Sequence, residues 1–407
     1  MEEVLTAPVA ASSIPTAAKT FRIESIDLLR GIIMIIMALD HVRDYFHADS
    51  YSFDPADLSQ TNGILFFTRW ITHFCAPVFM FLAGTSAFLV GERKSKKQLS
   101  KFLLTRGLWL MLLELTVVNF GWFFNIHFYF LPLIVIWAIG LSMVVLSGLI
   151  YLPKKIILVI GLLIVCCHNL LDNIHVEGNR FSAFLWAELH EPHRFQIGDH
   201  IVATGYPVLA WIGVMTLGYC FGSLYRKNLN AKKRKRLLLW IGCGAVLLFI
   251  LIRATNAYGD ASLWSKQPTV FFTFLSFLNT TKYPPSLLYI LMTLGPAIIF
   301  LSLTEKKLPR FTKPLIHIGR VPMFFYLVHI YIIHLVAMLV AELTGYHWSD
   351  FVLQRWPWMV PQLKGYGVSI ELTYIIWIAI ILMIYPLCKW YDQYKSAHKE
   401  KWWLSYL

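Results

Sequence analysis

The first long apolar run of the chain carries ionisable residues whose spacing could support acid–base chemistry. Asp27 and Arg30 lie near its start, and Asp40, His41 and Asp44 lie near its end. In a helix, the eleven residues from Arg30 to His41 rise about 16 Å over close to three turns, so both side chains lie on nearly the same face. A carboxylate three residues from His41 can reach the imidazole and make it a better general base. Asp40, His41 and Asp44 are therefore predicted to be catalytic, with Asp27 and Arg30 binding substrate.

The same residues also admit a structural interpretation. Asp27 and Arg30 could form an ion pair at a membrane interface, and His41 could cap the helix near the lipid headgroups. Ionisable groups inside an apolar run are costly and usually face a partner, a cavity or a substrate. The clustering of charged residues over positions 40–44 favours the functional interpretation.

Three other segments add candidate substrate-binding residues. Arg69 and His73 are four residues apart and share a helix face, which suits the mouth of an acceptor site. Lys282 and Tyr283 open a later apolar run, and a lysine there predicts either an anionic partner or a snorkelling anchor. His329 lies inside another run, where a structural and a functional histidine are equally compatible with the sequence.

Composition indicates the solvent in which these residues work. The chain has 407 residues, of which 57% are hydrophobic and only 14% charged. A soluble protein carries about 25% charged residues, so lipid must cover much of this surface. The net charge of +13 comes from Lys and Arg clusters between apolar runs, which argues against nucleic acid as a partner. None of the six cysteines shows metal-ligand spacing, and no metal site is predicted.

The apolar runs predict an all-α, polytopic transmembrane bundle of about ten helices. Every second connection is basic, which predicts that both chain ends are cytoplasmic. Residues 1–20 are expected to be a disordered cytoplasmic leader, residues 21–395 a single transmembrane domain, and residues 396–407 a cytoplasmic tail. A short re-entrant or interfacial segment is expected over Thr269 to Leu278, and a surface helix over Trp348 to Met359. The ten predicted spans lie near 28–47, 67–90, 103–123, 127–151, 155–172, 203–224, 236–255, 286–304, 321–342 and 369–390.

Several motifs give the chain a family resemblance. They are Arg-Ile-Glu-Ser-Ile-Asp-Leu-Leu-Arg-Gly at 22–31, Asp-His at 40–41, Phe-Cys-Ala-Pro-Val-Phe-Met-Phe-Leu-Ala-Gly at 74–84, Lys-Tyr-Pro-Pro-Ser at 282–286, and the segment 319–329. The chain resembles the DUF1624 membrane proteins of bacteria, which are related to heparan-alpha-glucosaminide N-acetyltransferase. The first motif is also similar to the acyltransferase-3 family, whose corresponding histidine matches His41. The resemblance implies transfer of an acyl group, typically acetyl, from cytosolic acyl-CoA to a sugar or amino-sugar acceptor across the bacterial inner membrane.

The chain departs from heparan-alpha-glucosaminide N-acetyltransferase, a lysosomal enzyme, at one point. That enzyme has its active-site histidine in a His-Ala-Ser-Trp-Asn-Gly stretch, whereas residues 46–51 here read Phe-His-Ala-Asp-Ser-Tyr. Either His41 or His47 is therefore the candidate catalytic histidine, and glucosamine specificity does not carry over. A transporter or flippase for an anionic or glycan substrate is the alternative function, and a homodimer is compatible with the sequence.

Overall fold

The computed structural model describes residues 23–226 and 228–405, so the predicted leader at 1–20 lies outside the described residues. The described part is mostly helical. Its α-helices are α1 (Glu24–Phe46), α2 (Gly63–Thr72), α3 (Cys75–Gly91), α4 (Lys96–Leu113), α5 (Asn119–Phe123), α6 (Val135–Leu149), α7 (Lys154–Cys167), α8 (Phe181–Leu189), α9 (Leu209–Phe221), α10 (Ala231–Thr255), α11 (Val270–Leu278), α12 (Leu287–Leu303), α13 (Lys313–Arg320), α14 (Pro322–Leu343) and α15 (Ile370–Ala397). A single π-helical stretch, Glu114–Val118, joins α4 to α5.

Helices lie at each of the ten positions where the sequence predicts a span. α1 is long enough to cross a bilayer but carries six acidic or basic residues. Three further helices are apolar but shorter: Val135–Leu149, Leu209–Tyr225 and Leu287–Leu303. The count of ten spans and the orientation remain predictions. Six helical stretches of the described chain are long and apolar enough to span: Gly63–Gly91, Lys96–Phe123, Lys154–Leu171, Ala231–Thr255, Pro322–Leu343 and Ile370–Ala397.

A small sheet corrects the all-α prediction. Strand β1 (Phe130–Leu133) pairs in parallel with β3 (His200–Thr204), and β2 (His193–Ile197) pairs antiparallel with β3. The two residues between β2 and β3 are Gly198, with φ +59°, and Asp199, a combination typical of a tight hairpin. β1 also replaces the start of the span predicted over 127–151, and α6 begins only at Val135.

The two short segments predicted outside the spans have different outcomes. α11 begins and ends close to the expected Thr269 to Leu278, and the Thr269 side chain accepts a hydrogen bond from the Phe272 amide. The single helix predicted over Trp348 to Met359 is wrong. Two 3-10 turns, Trp348–Phe351 and Pro357–Met359, occupy this stretch, because a proline cannot continue the hydrogen bonding of a preceding helix.

Paired glycines bring several helices into backbone contact. A Cβ on Gly31 of α1 would lie 1.9 Å from the Leu315 carbonyl oxygen of α13, and a Cβ on Gly319 would lie 1.9 Å from the Asp27 carbonyl oxygen. Small residues at a crossing allow this approach and are frequent between membrane helices. Arg30 then reaches across the crossing and donates to the Gly319 carbonyl at 3.0 Å. Similar pairs join α3 to α9 (Gly84 and Gly218), α4 to α6 (Gly107 and Gly140) and α10 to α12 (Gly242 and Gly295).

Two buried carboxylates tie the connections to the bundle. Glu114, in the π-helical stretch, accepts hydrogen bonds from the Ile136 and Trp137 amides at 2.9 and 3.0 Å and so caps the start of α6. Glu188 of α8 accepts a hydrogen bond from Trp137 Nε1 at 2.6 Å. Both contacts converge on α6, which lines the main cavity described below.

Glu188 makes the stability of the protein depend on pH. It lies in the connection between α7 and α9, outside the predicted spans, and burial raises the pKa of its carboxyl to about 7. Between about pH 4.5 and 7 the unfolded chain has lost this proton while the folded chain keeps it, so stability falls as pH rises through this window. We expect the wild-type apparent Tm in detergent to decline from pH 5 to 7. Glu188→Gln retains the acceptor for Trp137, so its decline should be shallower, and parallel curves for the two proteins would contradict the assignment.

Candidate active site

His41 and His329 form a buried histidine pair. His41 Nδ1 lies 2.7 Å from His329 Nε2, and the two rings stack with centroids 4.9 Å apart. His329 Nδ1 lies 3.0 Å from the Phe325 carbonyl oxygen and must donate to it. In the neutral His329 ring, Nε2 is then the acceptor, and His41 Nδ1 is the donor. This hydrogen-bond order assigns the unprotonated nitrogen of neutral His41 to Nε2.

His41 Nε2 has no hydrogen-bond partner among the described residues, and it is not one of the buried unpaired atoms. The His41 side chain is partly exposed, whereas that of His329 is fully buried. Aromatic rings form the surrounding wall: Trp122 lies edge-on to His41 with centroids 4.7 Å apart, and Tyr326 lies at 6.2 Å. The lone pair on His41 Nε2 is accessible and lies among aromatic rings, so it is available to take a proton from a bound molecule.

The carboxylate contact predicted for His41 is wrong. The ring bonds to His329, and the oxygens of Asp40 are occupied by other groups. Asp40 accepts two bonds from Arg69 Nη1, at 3.0 and 3.1 Å, and one from Thr72 at 2.9 Å. Arg43 lies 2.7 Å from the same carboxylate. Successive residues of a helix point about 100° apart, so the Asp40 side chain leaves α1 on a different side from that of His41.

Asp40 is the centre of a buried ionic cluster, defined here as Asp40, Arg43, Asp44, Arg69 and Lys282. Arg43 also contacts Asp44 at 2.5 Å, and Lys282 Nζ lies 4.0 Å from Asp40. Three cations face two carboxylates, and Asp40 alone contacts all three cations. The cluster joins α1, α2 and the segment before α12, so these three elements are fixed around the end of α1 that carries His41.

His73 and Tyr283 lie near this cluster but face different neighbours. The Tyr289 hydroxyl donates to the His73 carbonyl at 2.7 Å, and the two rings pack edge to face. His73 is buried, so the predicted pairing with Arg69 on one open face is replaced by packing of His73 against α12. The Tyr283 hydroxyl bonds to that of Tyr206 at 3.2 Å, and its ring lies 5.2 Å from Lys282 Nζ.

A second buried arginine positions the segment that carries Lys282. Arg253 of α10 is 1% exposed and donates to four backbone carbonyl oxygens between residues 262 and 279, at 2.6 to 3.1 Å. Asp260 accepts from the hydroxyls of Thr281 and Ser286 at 2.7 and 2.6 Å. Neither residue was singled out from the sequence, because the carbonyl oxygens that satisfy Arg253 leave no pattern of residue types.

His47, the other candidate histidine, faces away from the pair. It is 5% exposed, with Nδ1 3.2 Å from the Val368 carbonyl oxygen and Nε2 3.4 Å from Asp49. Its backbone pairs with Val368. The structure therefore places His47 at the end of α1, against the segment before α15, whereas His41 faces α14.

A cavity of about 830 Å³ lies between α1, α3, α4, α6 and α14. Its lining includes the apolar residues Met34, Met37, Ile136 and Ile139, and also Tyr326, which lies beside the histidine pair. Six cationic side chains and one carboxylate line the cavity: Arg30, Arg93, Lys94, Arg106, Arg320, Lys395 and Asp27. We call the end carrying these residues the basic end and the opposite end of the bundle the histidine end.

Asp27 and Arg30 organise the basic end. Arg30 donates to Asp27 at 3.0 Å and to Ser86 of α3 at 3.1 Å. Arg320 lies 3.5 Å from Asp27 and 3.6 Å from Asp392. The structure thus places Arg30 in the lining of the cavity and His41 next to Tyr326, just beyond that lining. The ion pair proposed for Asp27 and Arg30 is present within the lining of the cavity.

More than half of the chain matches one known protein family. The family model of the catalytic region of heparan-alpha-glucosaminide N-acetyltransferase matches residues 22–254, more than half of the chain. The chain belongs to this family. Membership in the heparan-alpha-glucosaminide N-acetyltransferase family implies a membrane acetyltransferase. No curated protein was found to match the chain.

The family match covers His41 and the ionic cluster on α1 and α2, but Lys282, Tyr326 and His329 lie beyond it. Sequence reasoning missed Trp122 and Tyr326 as neighbours of His41. Tyr326 lies in the segment 319–329, three residues before His329, so helical spacing would have placed it close to that histidine. Nothing local to Trp122 signals its position.

Proposed function

We propose that this protein transfers an acetyl group from acetyl-CoA, bound at the basic end, to a sugar-type acceptor at the histidine end. In this proposal the basic end is cytoplasmic, both chain termini are cytoplasmic, and the bilayer is the bacterial inner membrane. The observation that carries the proposal is the cavity that begins among six cations and ends beside His41, whose Nε2 is unpaired in the described structure.

The basic end fits the donor. Coenzyme A carries a diphosphate and a 3′-phosphate on its nucleotide and a thioester at the far end of a flexible arm. Arg93 and Lys94 are exposed at the entrance, and Arg30 lies deeper on α1. Cationic side chains bind phosphate through charge-assisted hydrogen bonds, and the apolar inner wall accepts the arm. The thioester would then lie near Tyr326 and the histidine pair.

The histidine pair supplies the acid–base chemistry. His41 Nε2 takes the proton from the acceptor amine or hydroxyl as its nitrogen or oxygen attacks the thioester carbonyl carbon. The carbon–sulfur bond then breaks, and the imidazolium returns the proton to the departing thiolate. His329 holds the His41 ring in the tautomer that leaves Nε2 unprotonated. Asp40 and Asp44 act through the ionic cluster, which fixes the end of α1.

The histidine end offers aromatic and charged groups to an acceptor. Trp356 contacts Trp122 at 5.3 Å and stacks on Trp358, which is 38% exposed. Sugar rings present flat C–H faces that pack on such rings, while their hydroxyls hydrogen-bond to charged side chains. Arg69 and Lys282 are two of the cations of the ionic cluster at this end. These contacts support a sugar-type acceptor, and the accessible Nε2 supports His41 over His47 as the base.

Acetyl-CoA binding by the purified protein in nanodiscs tests the donor half of the proposal. We expect Arg93→Gln combined with Lys94→Gln to raise the Kd for acetyl-CoA about tenfold, because each exposed cation–phosphate contact contributes roughly 0.5–1 kcal/mol. Lys97→Gln combined with Lys101→Gln removes the same charge from exposed sites outside the cavity lining and should change Kd less than about twofold. Equal effects of the two pairs would place the donor elsewhere.

Radiolabelled acetyl-CoA and amino-sugar acceptors test the transfer itself. The wild-type protein should release labelled N- or O-acetylated sugar together with free coenzyme A. Binding of acetyl-CoA without transfer to any amino sugar, hydroxylated sugar or glycan would contradict the proposed acceptor class. Failure to bind acetyl-CoA at all would contradict the function.

A further inference from the structure

Tyr326 occupies the boundary between the cavity and the histidine pair. It lines the cavity and is 3% exposed. Its ring centroid lies 6.2 Å from that of His41 and 5.4 Å from that of His329. Tyr326 is thus the residue of the cavity lining that also contacts both histidine rings.

The hydroxyl of Tyr326 has an unusual hydrogen-bond arrangement for a buried tyrosine. Its oxygen accepts from Trp122 Nε1 at 3.4 Å, and its hydrogen has no acceptor among the described residues. Two buried tyrosines nearby do the opposite. Tyr45 donates to the Trp122 carbonyl at 2.5 Å, and Tyr289 donates to the His73 carbonyl at 2.7 Å. An O–H group that accepts one hydrogen bond becomes a stronger donor in the next.

We propose that the Tyr326 hydroxyl donates a hydrogen bond to the carbonyl oxygen of the donor thioester. The inference rests on the proposed acyl transfer and assigns the group that stabilises its tetrahedral intermediate. When the acceptor attacks, the carbonyl π-electrons move onto oxygen, and Tyr326 stabilises that negative charge. When the intermediate collapses, the electrons re-form the carbonyl and the carbon–sulfur bond breaks. Tyr326 keeps its proton throughout, and His41 carries the proton from acceptor to thiolate.

The position of Tyr326 suits this role. An oxyanion donor is effective where water is excluded, and Tyr326 is buried beside Trp122 and the two histidine rings. Tyr326 also lines the cavity from which the thioester would arrive. A purely structural tyrosine would be expected to donate to a backbone carbonyl, as Tyr45 and Tyr289 do.

Tyr326→Phe tests the proposal by removing one hydroxyl and leaving the ring. We expect kcat to fall about 10²- to 10³-fold, the usual loss for one oxyanion donor, with the Kd for acetyl-CoA changed less than about twofold. Tyr331→Phe is the matched control on α14, because the Tyr331 hydroxyl donates to the Val117 carbonyl, away from the histidine pair. Tyr331→Phe should retain at least half of the wild-type kcat.

Infrared difference spectra of acetyl-CoA labelled with ¹³C at the carbonyl provide a second readout that needs no turnover. The carbonyl band should move to lower wavenumber on binding to the wild-type protein, and this shift should be absent in Tyr326→Phe. A wild-type protein that transfers acetyl while Tyr326→Phe retains more than a third of kcat, or an unshifted wild-type band, overturns this inference and leaves the proposed function standing. A wild-type protein that neither binds nor transfers overturns the proposed function itself.

Discussion

His41→Ala is expected to reduce acetyl transfer at least about 10³-fold while changing the Kd for acetyl-CoA less than about twofold. The side chain supplies the accessible Nε2, and a general base contributes about 10²- to 10⁴-fold to such reactions. His41 is absent from the lining of the donor cavity, so donor binding should survive. Single-turnover transfer and equilibrium binding on the same preparation measure the two quantities.

His47→Ala is the matched control for this experiment, because His47 is the other candidate histidine and is held by Val368 and Asp49. We expect it to retain transfer within about threefold of wild type. Full activity of His41→Ala together with loss of activity in His47→Ala would reverse the assignment and would require a rearrangement of the segment before α15.

His329→Gln extends the same prediction to the partner ring. A glutamine carbonyl can still accept from His41 Nδ1, whereas His329→Phe cannot, so the tautomer argument predicts that the glutamine variant is the more active of the two. The loss in the phenylalanine variant should appear in kcat and shift the pH profile of kcat. Equal kcat values and unchanged pH profiles in both variants would assign His329 a packing role only.

Gly31→Ala is expected to prevent assembly of the bundle, as is Gly319→Ala. The added Cβ would lie 1.9 Å from a backbone carbonyl oxygen in each case, and backbone cannot move aside as a flexible side chain can. Overpacking of a well-packed core costs about 1–3 kcal/mol and more where the obstacle is rigid. We expect little monodisperse protein after detergent extraction, or an apparent Tm lowered by about 3 °C or more in any recovered protein.

Gly244→Ala and Gly148→Ala are the controls for this effect. Both glycines lie within helices, and a Cβ at either position would meet nothing within 4 Å. Alanine favours a helix over glycine by about 1 kcal/mol, so these variants should be as stable as the wild type or slightly more stable. Similar losses in all four variants would show that helix crossing distance does not explain the effect.

The sequence predicts much of the helical framework because apolar runs of about twenty residues leave a strong local signal. Clusters of Lys and Arg mark the connections between these runs, and they too can be recognised from short stretches of sequence. The hairpin at Gly198 and Asp199 is also marked by its turn residues, but the apolar runs predict no strand on either side of it. The prediction of a surface helix near Trp358 is wrong because it relied on the aromatic residues and gave too little weight to Pro357.

The candidate site is less predictable because its key contacts join distant parts of the chain. The spacing of Arg30 and His41 correctly places both side chains toward the interior. Local spacing also assigns Asp44 or Asp40 to His41. In the structure Arg43 binds Asp44, Arg69 binds Asp40, and His329, 288 residues away, binds the imidazole. Pairings of this kind depend on which helices pack together, and helix packing cannot be read from one sequence.

The extent of the cavity bears on whether ions could leak across the bilayer through the protein. Its lining includes Tyr326 but neither His41 nor Trp122. In the proposed function, these side chains would form a partition between the donor cavity and the acceptor at the far end of the bundle. An acetyl group is small enough to pass such a partition, whereas hydrated ions and the nucleotide of coenzyme A are not. Group transfer through this partition would therefore proceed without discharging the electrochemical gradient across the bilayer.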